Sequence, residues 1–215
     1  MLTQITVSGY KSLQGSIARF SPFTVIVGRN NVGKSNLFEA LRLLSHLAQM
    51  PAASAFRPER HRGDPIESFF ADQGKRLSLT CEFDLTGTPH PFDASLALTH
   101  PFLHYEIAVV FQDGVLEIAL EALKGRTPTS RQFRNLIVVS EDGNRVSLNR
   151  DKAQFGKMRH FPLPSARSVL AMIDDAELYP HVVALARELS SWRFFHFEPE
   201  ALREPSPAMD ILELE

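Results

Sequence analysis

Eight consecutive residues constrain this chain more than any other feature: Gly28-Arg29-Asn30-Asn31-Val32-Gly33-Lys34-Ser35 spells GxxxxGKS. Glycines in this pattern let the backbone curl so that successive amide N–H groups face the same anion. At Lys34 an ammonium can reach the β and γ phosphates of a nucleotide, and at Ser35 a hydroxyl can ligate Mg²⁺. A helix starting at this point would add the positive end of its dipole to the same site. A chain with this octet is expected to fold as strand, glycine loop and helix.

The flanking residues agree with that order. Phe23-Thr24-Val25-Ile26-Val27 is a short β-branched run that predicts a buried parallel strand. Residues 36–48 carry leucines at 37, 41, 44 and 47, which is helical spacing, and Pro51 lies just beyond. Together these predict a nucleotide-binding loop rather than a chance match in a surface turn.

Composition excludes several classes. The chain has 215 residues, 44% of them hydrophobic and 22% charged, as in an ordinary globular protein with room for one large or two small domains. Its single cysteine, Cys81, rules out an intrachain disulfide framework and fits a reducing, cytoplasmic setting. No apolar run approaches the roughly 20 residues that span a bilayer. The first residues alternate like a strand and do not resemble a signal peptide. A net charge of −2 leaves nucleic-acid binding to a local basic patch.

Along the chain, residues 5–8 and 16–20 predict two strands ahead of the phosphate-loop strand, joined through Gly9-Tyr10-Lys11-Ser12-Leu13-Gln14-Gly15. Residues 51–76 read as an irregular insert. From 77 to about 150 the pattern is β: strict alternation over 77–85, then runs at 104–111 and 115–120 around Asp113-Gly114, then 136–139 and 145–148 around Asp142-Gly143. Such a succession predicts an antiparallel meander without intervening helices. Between 160 and 200, Pro164-Ser165 predicts a helix through 168–173, Tyr179-Pro180 starts another with an apolar stripe at 182, 183, 185, 186 and 189, and 192–197 reads as an aromatic strand.

The first fifty residues resemble the head domains of ABC-type ATPases of the RecF, SMC and OLD-like group. The likeness is carried by Ile5-Thr6-Val7-Ser8-Gly9-Tyr10-Lys11-Ser12-Leu13 and by 23–37, where the loop has the form G-x-N-x-x-G-K-S-N. The β meander, the helical segment and the Trp192-Arg193-Phe194-Phe195 run look similar to AAA-family ATPases of the OLD-like kind. The resemblance implies an α/β P-loop NTPase fold, an ABC-ATPase-like head with an antiparallel β meander and a small helical segment. It further implies ATP and Mg²⁺ as cofactors. Lys11 and Ser12 would lie near the α-phosphate or ribose, Asn30 through Ser35 around the β and γ phosphates, and Asn36 by the α-phosphate. A glutamine would help hold Mg²⁺ and the attacking water, with Gln73, Gln112 and Gln132 as candidates. In this group two heads sandwich ATP as a homodimer and deliver work to DNA or to an effector such as a nuclease, in repair or phage defence.

Other elements of that group are not found. An LSxGQ-like signature, a Walker B run ending in Asp-Glu and a switch histidine are all expected C-terminal to the helical region. Leu189-Ser190-Ser191-Trp192 lacks the signature glycine. Val169-Leu170-Ala171-Met172-Ile173-Asp174-Asp175 imitates a Walker B, but Ala171, Met172 and a capping serine favour helix. No catalytic residue is identified, and the chain reads as the N-terminal half of a longer ATPase. Two alternatives stand beside this one. A non-catalytic nucleotide-binding regulatory module would need no Walker B. A P-loop GTPase would need an Asn/Thr-Lys-x-Asp motif, which is missing, and would place the loop after the first strand.

The remaining clusters have simpler readings. Arg57, Arg60, His61 and Arg62 form a basic cluster that could meet DNA or nucleotide phosphates, although solvated loop charge suffices. His100 and His104 stand four apart, but Pro101 and the strand pattern argue against a zinc pair. Trp192, Phe194, Phe195 and Phe197 could stack bases, though core packing is the more economical role.

Overall fold

In a computed structural model the described residues are 1–57, 65–71, 75–150 and 159–195. Among the described residues eight strands form a single sheet in the order β2-β1-β3-β4-β5-β6-β7-β8, every pairing antiparallel. The strands are β1 Leu2–Ser8, β2 Ser16–Arg19, β3 Arg76–Asp84, β4 Phe102–Gln112, β5 Val115–Arg126, β6 Arg134–Val139, β7 Arg145–Leu148 and β8 Arg159–Pro162. The connection from β2 to β3 carries the phosphate loop and the first two helices, α1 Lys34–Leu47 and α2 Ala52–Ala55. A third helix, α3, covers Pro180–Ser191.

Alternation places the core on one face of this sheet. In β3 Leu77, Leu79, Cys81 and Phe83 are buried while the residues between them are not. Helix α1 buries Ala40, Leu41, Leu43, Leu44 and Leu47. Helix α3, opened by Pro180 at its first position, buries Val182, Val183, Leu185 and Leu189. The two helices are joined where the buried Ser45 hydroxyl donates to the Leu189 carbonyl at 2.7 Å. The Asp113-Gly114 turn is formed with both residues at positive φ, 51° and 81°, as a two-residue hairpin requires.

Three expectations are corrected. Residues 23–27 form no strand: Phe23, Val25 and Val27 are 83%, 65% and 84% exposed, and among the described residues no strand pairs with them. A β-branched run becomes a buried strand only when neighbours supply ladder partners and two covering faces, and β1 is already flanked by β2 and β3. Residues 168–173 make only a 3-10 turn, Val169–Ala171. The described part of the aromatic run, 192–195, leaves α3 without joining the sheet; Trp192 instead stacks on Phe83 at 6.4 Å. Strand β8 is an addition that its short, polar sequence did not advertise.

Candidate functional site

The phosphate loop runs as irregular backbone from Gly28 and ends at Gly33, the N-cap of α1. Gly33 adopts φ 95°, which only glycine takes without strain, and a Cβ there would stand 3.2 Å from both Leu13 Cδ2 and Ser12 Oγ. Asn31 also sits at positive φ, 63°, a conformation asparagine tolerates better than most residues. Since Gly33 has no side chain, the first N–H groups of α1 receive no side-chain cap, and no acidic residue lies in the first turn. That combination keeps the positive helix end available to an anion. The Lys34 ammonium curls over its own loop and donates to the carbonyls of Gly28 at 2.7 Å and Arg29 at 2.6 Å.

The β1–β2 turn forms the second wall. Asn36, on the first turn of α1, donates from Nδ2 to Ser12 Oγ at 2.7 Å. Lys11, at φ 47°, donates its N–H to the Phe69 carbonyl at 2.9 Å, and its ammonium pairs with Glu39. Lys11, Ser12, Gly33, Lys34 and Asn36 therefore belong to one neighbourhood although β2 and a long turn separate them in sequence. Ser35, in the first turn of α1, has an exposed side chain suited to a phosphate-bound Mg²⁺. Among the described residues no group of three or more histidine, cysteine or acidic side chains could hold a metal ion.

Other sequence candidates do not converge on this place. Gln112 ends β4 and Gln132 lies in the β5–β6 connection, while Gln73 lies outside the described residues. Arg57 lies just past the Phe56 cap of α2, its N–H donating to the Ser54 carbonyl at 3.2 Å; Arg60, His61 and Arg62 lie outside the described residues, as does Phe197. His100 and His104 are not a pair: His181 Nε2 accepts the His100 N–H at 3.1 Å, whereas His104 stands 4.0 Å from Glu106. Cys81 is buried and its thiol pushed far up by that burial, which leaves it inert.

Sequence reasoning overlooked two residues, one that holds the wall of this site and one that fixes the 168–171 turn. Glu39 is one; its partner Lys11 is distant in sequence and leaves no local pattern. Glu121 is the other. It is buried, and its carboxylate accepts from Tyr105 Oη at 2.9 Å, Ser168 Oγ at 2.7 Å and the Val169 N–H at 2.7 Å. Burial pushes its carboxyl above the ordinary value against the pull of those hydrogen bonds. These bonds, with Ser168 capping the Leu170 N–H at 3.0 Å, use the donors that a strand through 169–173 would need. Asp175 is similarly occupied, its carboxylate accepting the Leu178 N–H at 3.0 Å. The run that imitates a Walker B is thus a structural turn.

A glycine-capped phosphate loop before an amphipathic helix, on a mixed α/β scaffold with an antiparallel sheet, defines a P-loop nucleotide-binding class of protein. Residues 1–154 match the AAA ATPase domain family, and the chain belongs to it. It is thereby a member of a family that binds and hydrolyses ATP. No curated protein matches the chain. Among solved structures it is similar to a chain from work on ATP-driven dimerization and DNA stimulated activation of SMC ATPases. The identity is 23% and the TM-score 0.40, over 60% of this chain and 72% of that chain. None of the helices in the described residues is long and apolar enough to cross a membrane.

Proposed function

We propose that this chain is the nucleotide-binding N-terminal lobe of an ABC-type ATPase head. It binds ATP–Mg²⁺ through residues 28–36 and hydrolyses it when completed by polypeptide carrying signature and Walker B elements. Lys34 leaves the Gly28 and Arg29 carbonyls to meet the β and γ phosphates. The N–H groups of 30–35 surround those phosphates, Ser35 supplies its hydroxyl to Mg²⁺, and Lys11, Ser12 and Asn36 face the α-phosphate or ribose. Bound Mg²⁺ would neutralise charge on the β and γ oxygens. Two such heads would sandwich ATP as a homodimer, with DNA or an effector nuclease as the recipient of the work.

The observation that carries the incomplete-lobe reading is the exposure of 23–27. A Phe-Thr-Val-Ile-Val run feeding directly into a phosphate loop leaves Phe23, Val25 and Val27, one alternation face, open, with Ile26 half-buried on the other. Beside it lies a groove of about 360 Å³, lined among others by Phe20, Pro22, Phe38, Leu41, Trp192 and Phe194. Strands added from the completing half would pair with that run and cover the groove. The non-catalytic alternative is favoured by one observation only, that 169–175 is a turn held by Glu121.

The test is a titration with a fluorescent ATP analogue and Mg²⁺, followed by turnover with and without added C-terminal sequence. Binding by the chain alone, lost in Lys34→Ala, is expected, with turnover appearing only on completion. Retained affinity in Lys34→Ala would contradict the site. Binding that never acquires turnover with a signature and Walker B supplied would leave the regulatory module as the better description.

A further inference from the structure

Glu39 lies outside the residues assigned to the nucleotide, yet it holds one of them. It sits on the second turn of α1, and its Oε2 accepts from the Lys11 ammonium. That ammonium also stands 5.0 Å from the Phe69 ring and 5.7 Å from the Tyr10 ring, both buried. Three residues back on the same helix, Asn36 grips Ser12. Positions three apart share a helix face, so Asn36 and Glu39 clip the 10–13 turn to α1 at two neighbouring points.

Magnitudes argue that orientation, rather than stability, is the use of this pair. The side chains of Lys11 and Glu39 remain 24% and 26% exposed, and ion pairs with access to water contribute little to folding. A lysine on a flexible four-carbon stem, by contrast, loses much rotamer freedom when held in one direction. An ammonium has three donors; Glu39 takes one, and two are left for another acceptor.

We propose that Glu39 is a positioning residue for nucleotide binding, which presets the Lys11 ammonium and, with Asn36 and Ser12, holds the turn wall against the phosphate loop. The inference rests on the nucleotide reading of that loop. Glu39 touches no phosphate; it acts through Lys11 by removing the ordering cost that nucleotide would otherwise meet.

The experiment is a titration of the full chain with a fluorescent ATP analogue and Mg²⁺, using wild type, Glu39→Ala, Glu39→Gln, Lys11→Met and the Lys11→Met/Glu39→Ala double variant. Melting of each nucleotide-free protein is measured alongside. Glu39→Ala is expected to weaken binding about tenfold, the scale of one oriented charge-assisted hydrogen bond. Glu39→Gln, which keeps an acceptor oxygen, should lose less. In the Lys11→Met background the Glu39→Ala change should cost nothing further. Wild-type affinity in Glu39→Ala, an equal loss with and without Lys11, or a loss matched by a lowered melting temperature would each overturn the proposal while leaving the nucleotide reading intact. Failure of wild type itself to bind would instead overturn that reading, and this one with it.

Discussion

The carboxylate of Glu121 takes three hydrogen bonds of 2.9 Å or less from groups on two elements, β4 and the 168–171 turn, in a position closed to water. Deleting it in Glu121→Ala strands buried donors, and denaturant unfolding is expected to show a loss of about 3 kcal/mol. Glu121→Gln keeps one acceptor facing Val169 and lets the hydroxyls of Ser168 and Tyr105 turn toward its amide, so a smaller loss, about 1–2 kcal/mol, is expected. The sign of its pH dependence follows from burial. Because the folded carboxyl sits above the ordinary value of 4.5, its favourable contribution is complete below that pH and declines as pH rises through the folded value. The stability advantage of wild type over Glu121→Gln should therefore shrink as pH is raised through that window; an advantage that grows would refute the burial argument. Gly9 is the second position where one atom matters. At φ 74°, a Cβ there would lie 2.1 Å from the Arg76 carbonyl oxygen, part of the backbone entering β3. Gly9→Ala is expected to cost about 2–4 kcal/mol, measured by thermal unfolding.

At the level of elements, what could be read ahead was whatever depends on local periodicity. Odd-position burial in β3, the Asp113-Gly114 hairpin, the leucine face of α1 and the Pro180 start of α3 all follow from spacing within a single segment. What could not be read depends on partners elsewhere. In β5 the inward positions change from Leu116 and Ile118 to Glu121 and Leu123, because a bulge opposite Ala108 and Val109 inserts one residue. Alternation carried through from 116 would put Glu121 on the open face, so its anchoring of 168–171 was hidden. The 23–27 run has the right composition for a strand but lacks ladder neighbours. This makes Val25 a discriminating position. With 65% of it exposed, Val25→Asp is expected to shift the melting temperature of this chain negligibly, by the equivalent of about 0.5 kcal/mol or less. The same variant should fail to gain ATP turnover when C-terminal sequence is supplied, since a carboxylate would be buried in the new sheet. A large drop in melting temperature for the isolated variant would mean that the run is covered in solution and that no completing strands dock there.

Across the whole molecule, the core and the candidate site are nearly separate. The apolar interior lies between one sheet face and α1 and α3, whereas residues 28–32 are exposed and contribute nothing to it. Folding of the described scaffold therefore does not require the loop to be filled, and nucleotide should act on stability only by mass action. At a ligand concentration one hundred times its dissociation constant, binding to the folded state alone adds about 2.7 kcal/mol. For a domain of this size each kcal/mol moves the midpoint by about 2–4 °C, so Mg²⁺–ATP is expected to raise it by about 5–10 °C. Lys34→Ala should melt where wild type does without nucleotide, because its ammonium meets only two loop carbonyls, and it should show no shift with ATP. The two halves of that expectation fail differently. A lower midpoint for nucleotide-free Lys34→Ala would show that the loop is part of the folding core. A full ATP shift in the variant would show that the nucleotide is held somewhere other than the loop at 28–35.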